Sequence, residues 1–267
     1  MLRQRRTTAR GSRMQRASSA PCLICEILAG RPGTPFEEVL PNVERSQQIL
    51  AQRSLIAVVA DVAPIGRGHC LVVPNRHELS VMQLTSLERR QLADSAYAAS
   101  RAISAAFGGP VLMFEHGQCH HRSGDQDPCG IDHAHLHVVE SDEFAWQRIT
   151  TAFKFKPHPG VNALCAVENE HSGYLFVEVP NVRAAVSFHP NPPSQVLRRL
   201  VARRDSTSGI LWNWKDMVLL SEVASLGTQI METIALFRDS SAFQAHLSDP
   251  FKLDPAIEPT PRLEEIS

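Results

Sequence analysis

Apolar positions along this 267-residue chain fall into two rhythms. Short, β-branched runs predict buried strands at residues 55–60, 69–74 and 111–114, with further strands at 37–40 and 48–51. Runs at 174–179 and 183–188 flank Pro180-Asn181 and predict a strand pair. Elsewhere the spacing is helical. Thr85-x-x-Glu88 is a capping box, Leu92, Ala96, Ala99, Ile103 and Phe107 recur at helical intervals, and Gly108-Gly109 stops the helix. Asn191-Pro192-Pro193 introduces a second helix with Leu197, Leu200 and Val201 on one face and Gln195, Arg198 and Arg199 on or beside its polar side. After Trp212-Asn213-Trp214 a third helix carries Val223, Leu226, Ile230, Ile234 and Phe237. The expectation is an α+β protein, an antiparallel sheet with flanking helices.

One stretch departs from ordinary packing patterns. Over residues 132–140, Asp-His-Ala-His-Leu-His-Val-Val-Glu, three histidines alternate with Ala134, Leu136 and Val138. Side chains of an extended chain alternate faces, so the pattern predicts a half-buried strand with His133, His135 and His137 on one side. Imidazole serves as nucleophile, general acid or metal ligand near neutral pH, so three readings compete. The middle ring attacks a phosphorus centre, or the row binds a catalytic metal, or it is an ordinary polar face. Side chains two apart on a strand are separated by about 7 Å at the backbone, which prevents all three from gripping one ion.

His133-Ala-His135-Leu-His137-Val-Val resembles the signature of the histidine-triad (HIT) family, in which three histidines alternate with apolar residues. Upstream, residues 68–77, Gly-His-Cys-Leu-Val-Val-Pro-Asn-Arg-His, are similar to that family's Gly-His-x-Leu-Val-x-Pro-x-x-His segment, and Asp61-Val-Ala-Pro64 to its Asp-x-x-Pro turn. The resemblance spans about residues 22–140. It implies a HIT-like antiparallel sheet, His135 as nucleophile forming a covalent nucleotidyl-histidine, and His137 and His69 on phosphate oxygens or leaving-group charge. It also implies Asp61 as acceptor for ribose hydroxyls; the residue pattern alone reads Asp61 equally as a turn former before Pro64. The substrate so implied is a nucleotide or nucleotide conjugate, such as a nucleoside phosphoramidate, a dinucleoside polyphosphate or a nucleotide sugar.

Cys22-x-x-Cys25 opens the folded part, and alone it reads as zinc-binding, redox-active or merely small core residues. Zinc-bearing members of the family are similar at this motif, at His77 and at His133, which implies a closed structural Zn site of Cys22, Cys25, His77 and His133. The polar loop from Gln118 to Asp132 predicts a mobile segment over the site, with Cys119, His120 and Cys129 as a second possible metal set and Arg122 as a possible phosphate contact. Two departures stand out. Many HIT enzymes have Asn-x-Gly where this chain has Glu115-His116-Gly117, and Gly-Gln-Ser/Thr where it has Gly130-Ile131-Asp132. The missing amide and hydroxyl leave two further readings open: a nucleotide-binding scaffold without turnover, and a metallohydrolase using the His row.

Charge and cysteine usage narrow the setting. Arg3, Arg5, Arg6, Arg10, Arg13 and Arg16 precede the first acid, so the remaining body is acidic, 21 basic against 28 acidic residues. That balance speaks against nucleic acid as a partner. The basic start reads as a disordered tail over residues 1–20, a transit peptide, or an over-extended start with Met14 as initiator. Six cysteines without a signal-peptide pattern fit a reducing, cytoplasmic setting, and no apolar run approaches the ~18 residues of a membrane span. The expected organisation is a HIT-like catalytic domain at 21–145, an α+β extension at 146–249 that is an accessory domain or a degenerate second half, and a loose acidic tail at 250–267. The chain is expected to form a homodimer unless that extension replaces the partner.

Overall fold

The computed structural model describes residues 22–118, 131–165, 173–189, 193–202, 213–220 and 223–248. Helices α1 (Leu23–Leu28) and α2 (Pro35–Val39) precede strands β1 (Ile49–Gln52), β2 (Ile56–Ala60) and β3 (Cys70–Pro74). The long helix α3 (Ser86–Phe107) leads to β4 (Val111–Gln118) and β5 (Leu136–Glu140), then α4 (Ala145–Ala152) and β6 (Lys156–His158). Strands β7 (Gly173–Val179) and β8 (Arg183–Phe188) are followed by α5 (Val196–Val201), α6 (Trp214–Leu220), α7 (Val223–Asp239) and α8 (Ser241–Ser248).

The eight strands form one antiparallel sheet in the order β1-β2-β3-β5-β4-β7-β8-β6, with helices on both faces, as the α+β reading expects. Both edges of β4 are occupied by strands of the same chain, β5 on one side and β7 on the other. The strands after residue 145 therefore extend the same sheet. Alternation sorts side chains between two faces. Val58, Cys70, Val72, Leu136 and Val138 pack with Leu92, Ala96, Ala99 and Ile103 of α3 and with Ile230 and Phe237 of α7. On the other face Val59, Leu71 and Val73 meet Ile24 and Ile27 of α1, while Leu112, Phe114, Val139, Leu175 and Val177 meet Ile149 of α4 and Leu197 of α5. Among the described residues no helix is long and apolar enough to cross a membrane.

Local signals explain most boundaries. Thr85 accepts from the Glu88 N–H at the start of α3, and Gly108, at φ 71°, closes it in the left-handed conformation. Gly68, at φ 67°, turns the chain into β3 where a Cβ would lie 2.8 Å from the Ile103 side chain, so only glycine fits. Asn181, at φ 59°, makes the turn between β7 and β8.

Two expectations are corrected. Residues 37–40 are not a strand: Pro35 at the first turn and the Thr34/Glu37 capping box start α2, and Phe36 and Val39 bury one helical face. The strand expected over 132–140 begins only at Leu136, and His133 turns away from its two neighbours. The second metal set at Cys119, His120 and Cys129, the Arg122 contact, Trp212 and both terminal tails lie outside the described residues.

Candidate functional site

The register of three central strands sets the centre of the site. On β5, His137 stands opposite Leu71 of β3 and Phe114 of β4. The Phe114 ring lies almost parallel to the His137 imidazole, 12° apart with centroids at 4.4 Å, which fixes that ring by stacking. His69, at the mouth of β3, places Nε2 2.9 Å from His137 Nδ1. His135 lies edge-on to His137 with centroids 4.9 Å apart. His135 Nδ1–H donates to the carbonyl of His133 at 2.6 Å, so the second nitrogen, Nε2, carries the ring's lone pair.

All of these rings are buried. His69 is pushed down to about 4, chiefly by burial and by the Arg198 guanidinium, with Asp61 acting in the opposite direction. His137 is held well below its ordinary value by burial, then by His135 and His69. Both are therefore neutral at pH 7. Asp61 is an ionised carboxylate: burial works against it, but Arg198, His69 and the Ala63 N–H outweigh that and lower its pKa. Its Oδ1 accepts from Ala63 N–H at 2.8 Å and its Oδ2 from Arg198 Nη1 at 2.7 Å.

Asp61, His135, His137 and Arg198 line a cleft, from which His69 is wholly buried. The cleft lining is polar at Asp61, His116, His135, His137 and Arg198 and apolar at Leu23, Ile24, Ile27, Val59, Leu71 and Ile131, where α1 packs on β2 and β3. Gln195, Leu197 and Trp214 close the end nearest α5. Several of these are absent from the sequence-based candidates. His116 was legible in principle, since it alternates with Phe114 on β4 and so shares its face. Arg198, expected near the polar side of its helix, is instead 5% exposed. Glu115 points to the other face, accepting from Val81 N–H at 2.8 Å and from the Tyr174 hydroxyl, and burial raises it to about 7. Gly117 leaves the room that the Tyr174 ring fills. In Glu115-His116-Gly117, then, the first and last residues serve packing and the middle one faces the cleft.

A second cluster lies behind the first. Cys22 Sγ is 3.4 Å from His133 Nδ1, and Cys25 Sγ is 3.6 Å from both His133 Nδ1 and His77 Nδ1. One ligand atom from each of the four residues lies within 4.8 Å of the others, and together they could hold a metal ion. His133 Nε2–H donates to the carbonyl of Pro74 at 3.0 Å, which turns the lone pair of Nδ1 toward the cysteines. Burial pushes the Cys22 thiol up to about 12, so a thiolate there calls for a cation beside it. Asp61, His69 and His137 also converge, but the Arg198 guanidinium already lies against the Asp61 oxygen nearest the imidazoles and would repel a cation. The structure thus brings His135, His137 and Asp61 to one cleft, with His69 buried against His137, and Cys22, Cys25, His77 and His133 to another point.

No protein-family model matches the chain, and no curated protein matches it. Solved structures do. A HIT family protein from Bacillus anthracis aligns with 46% of this chain and 74% of its own at 18% identity and a TM-score of 0.34. A hypothetical histidine triad nucleotide-binding protein from Sulfolobus tokodaii aligns with 73% of this chain and 88% of its own at 15% identity and a TM-score of 0.32. A HIT family hydrolase from Clostridium thermocellum covers 47% of this chain and 95% of its own at 18% identity and a TM-score of 0.29. Likenesses at this level transfer no chemistry, which has to come from the residues above.

Proposed function

We propose that this HIT-like chain is a nucleotide hydrolase or nucleotidyl transferase that works through a covalent nucleotidyl-histidine on His135. The observation that carries this reading is the 2.6 Å bond from His135 Nδ1–H to the His133 carbonyl, which commits one nitrogen and assigns the lone pair to Nε2. That lone pair forms an N–P bond to the α-phosphorus while the bond from phosphorus to the leaving group breaks, the leaving group keeping the electron pair. Water or another acceptor then attacks phosphorus, the N–P pair returns to Nε2, and the acceptor's proton passes to solvent. Two displacements replace one difficult hydrolysis.

The neighbouring rings supply polarisation. Ile65 N–H points at His69 Nδ1 at 3.3 Å, so His69 donates from Nε2 to His137 Nδ1, and the proton of His137 sits on its own Nε2. That N–H would meet a phosphate oxygen or the departing group, in a largely buried site where such a donor counts for more than in water. Leu23, Ile24 and Ile27 give a flat base an apolar wall. Asp61 would accept from the ribose, sharing its oxygens with Arg198 and Ala63.

The four-residue cluster is read as a structural zinc site. A tetrahedral Zn²⁺ with its usual bond lengths sets sulfur and nitrogen ligands about 3.6 Å apart. The separations here are 3.4 Å and twice 3.6 Å. When bound, zinc would staple α1 to the segment after β3, through His77, and to the segment before β5, through His133. The strand beside β4 and, among the cleft-lining residues, Gln195, Leu197, Arg198 and Trp214 come from the second half, which supports a site built within one chain. The test is to incubate the purified protein with adenosine 5′-phosphoramidate, diadenosine tetraphosphate and UDP-glucose and look for a nucleotidyl adduct by mass spectrometry. An adduct mapped to His135 is expected; turnover with the label on another residue, or chelator-sensitive turnover with no adduct, would replace this mechanism.

A further inference from the structure

We propose that Arg198 is a positioning residue of this site, reaching it from the second half of the chain and holding the Asp61–Ala63 turn and, through the Ile65 N–H that follows it, the His69–His137 pair; this rests on reading the cleft as a phosphorus-transfer centre. A buried guanidinium is costly unless its donors are met, and here acceptors of the site itself meet them. Nη1 donates to Asp61 Oδ2 at 2.7 Å and Nη2 to the carbonyl of Ala63, so the fork clamps both ends of the turn that carries the chain from β2 toward His69. The same Oδ2 is the atom nearest the two rings, 3.4 Å from His69 Nδ1 and 3.9 Å from His137 Nδ1. Both of those nitrogens already accept, from Ile65 N–H at 3.3 Å and from His69, so the clamp reaches the rings through the turn: with Asp61 and Ala63 held, Ile65 N–H is aimed at His69 Nδ1 and sets the tautomer of the pair.

The element that delivers Arg198 is itself fastened at the cleft. Gln195, one turn earlier, has φ 51°, a left-handed conformation that is strained for a non-glycine residue. It is held there by its own side chain, whose Nε2 donates to Asn213 Oδ1 at 3.0 Å and whose Oε1 accepts from Trp214 N–H at 3.1 Å. Gln195, Arg198 and Trp214 all line the cleft. A six-residue helix tied to the start of α6 on one side and to the Asp61 turn on the other is a device for placing one fork. Lysine offers a single charged point and cannot bridge a carboxylate and a carbonyl in two directions.

Full-length Arg198→Gln, Arg198→Lys and the double variant Asp61→Asn/Arg198→Gln test this, the last leaving no lone buried charge if the first unfolds. Two readouts are taken: imidazole tautomers from long-range ¹H–¹⁵N correlation spectra, which need no substrate, and kcat and KM with adenosine 5′-phosphoramidate. The expected result is loss of the single tautomer pattern at His69 and His137 in Arg198→Gln and the double variant. With it goes a fall in kcat of about 100-fold with KM within about threefold. Arg198→Lys should restore a minor part of kcat. A folded Arg198→Gln or double variant that keeps the wild-type tautomers and kcat overturns the proposal. If the wild-type protein turns over none of the probes, the reading of the cleft fails, and the tautomer spectra alone decide the role of Arg198.

Discussion

Two imidazole clusters lie back to back along one stretch of chain, and they differ in how each ring spends its two nitrogens. In the cysteine cluster His133 gives Nε2–H to the Pro74 carbonyl and turns Nδ1 toward the sulfurs. Two residues on, His135 gives Nδ1–H to the His133 carbonyl and keeps its lone pair on Nε2. Four donors converge on one point in the first region; in the second the rings are bonded to backbone and to one another, with a guanidinium close by. Histidine content alone does not separate a ligand from a nucleophile. The carbonyl each ring finds sets which nitrogen keeps the lone pair, Nδ1 in His133 and Nε2 in His135.

The contrast breaks most sharply at His135. His135→Ala should lose covalent labelling altogether and at least about a thousandfold in turnover, while metal content stays at the wild-type level. Retained nucleotide release would remove the distinction between the clusters. Next in size, Cys22→Ser should bring bound zinc below one equivalent by elemental analysis and lower the melting midpoint by about 10 °C, with kcat on saturating substrate changed far less than stability.

Acid separates the regions by a different route. His69 titrates near 4 in the folded protein against about 6.5 unfolded, so the unfolded chain binds the extra proton between those values. The associated stability is present in full above about pH 6.5 and is lost as pH falls through 4, an effect on the order of 3 kcal/mol. Denaturant titrations of His69→Asn and wild type should therefore converge on acidification, and a difference that stays constant from pH 7 to 4 would contradict it. The smallest effect is expected from Leu23→Ala, which trims the apolar wall without touching a sulfur: nucleotide affinity by calorimetry should fall about fivefold, with zinc unchanged.

Much of this was legible beforehand because it is written locally. The capping box at Thr85, the alternation around Leu136 and Val138, and the spacing of Leu226, Ile230, Ile234 and Phe237 each report on a few neighbouring residues, and the elements appear where they point. The Thr34-Pro35-x-Glu37 start of α2 was just as visible, but the apolar Val39-Leu40 pair drew a strand reading instead. The cysteine cluster was carried by motif resemblance, and its four side chains do meet. Arg198 was out of reach. Its partner Asp61 is 137 positions away, and a helix of under two turns has too little periodicity to separate a solvated face from a buried one. Nothing in the sequence singled out Leu23, Ile24 and Ile27: what they face is decided by a sheet formed later in the chain.

Helix α1 is only six residues long, lacks a side-chain cap, and belongs to both regions at once. Cys22 at its start and Cys25 within it face the imidazoles of His77 and His133, while Leu23, Ile24 and Ile27 form the inner lining of the cleft. So short a helix has little stability of its own. An ion drawn out by a chelator would loosen this apolar lining while the histidine rings, fixed by a backbone carbonyl and by one another, kept their places. On the proposed reading, the metal would then govern how long a nucleotide stays seated and not the phosphorus step.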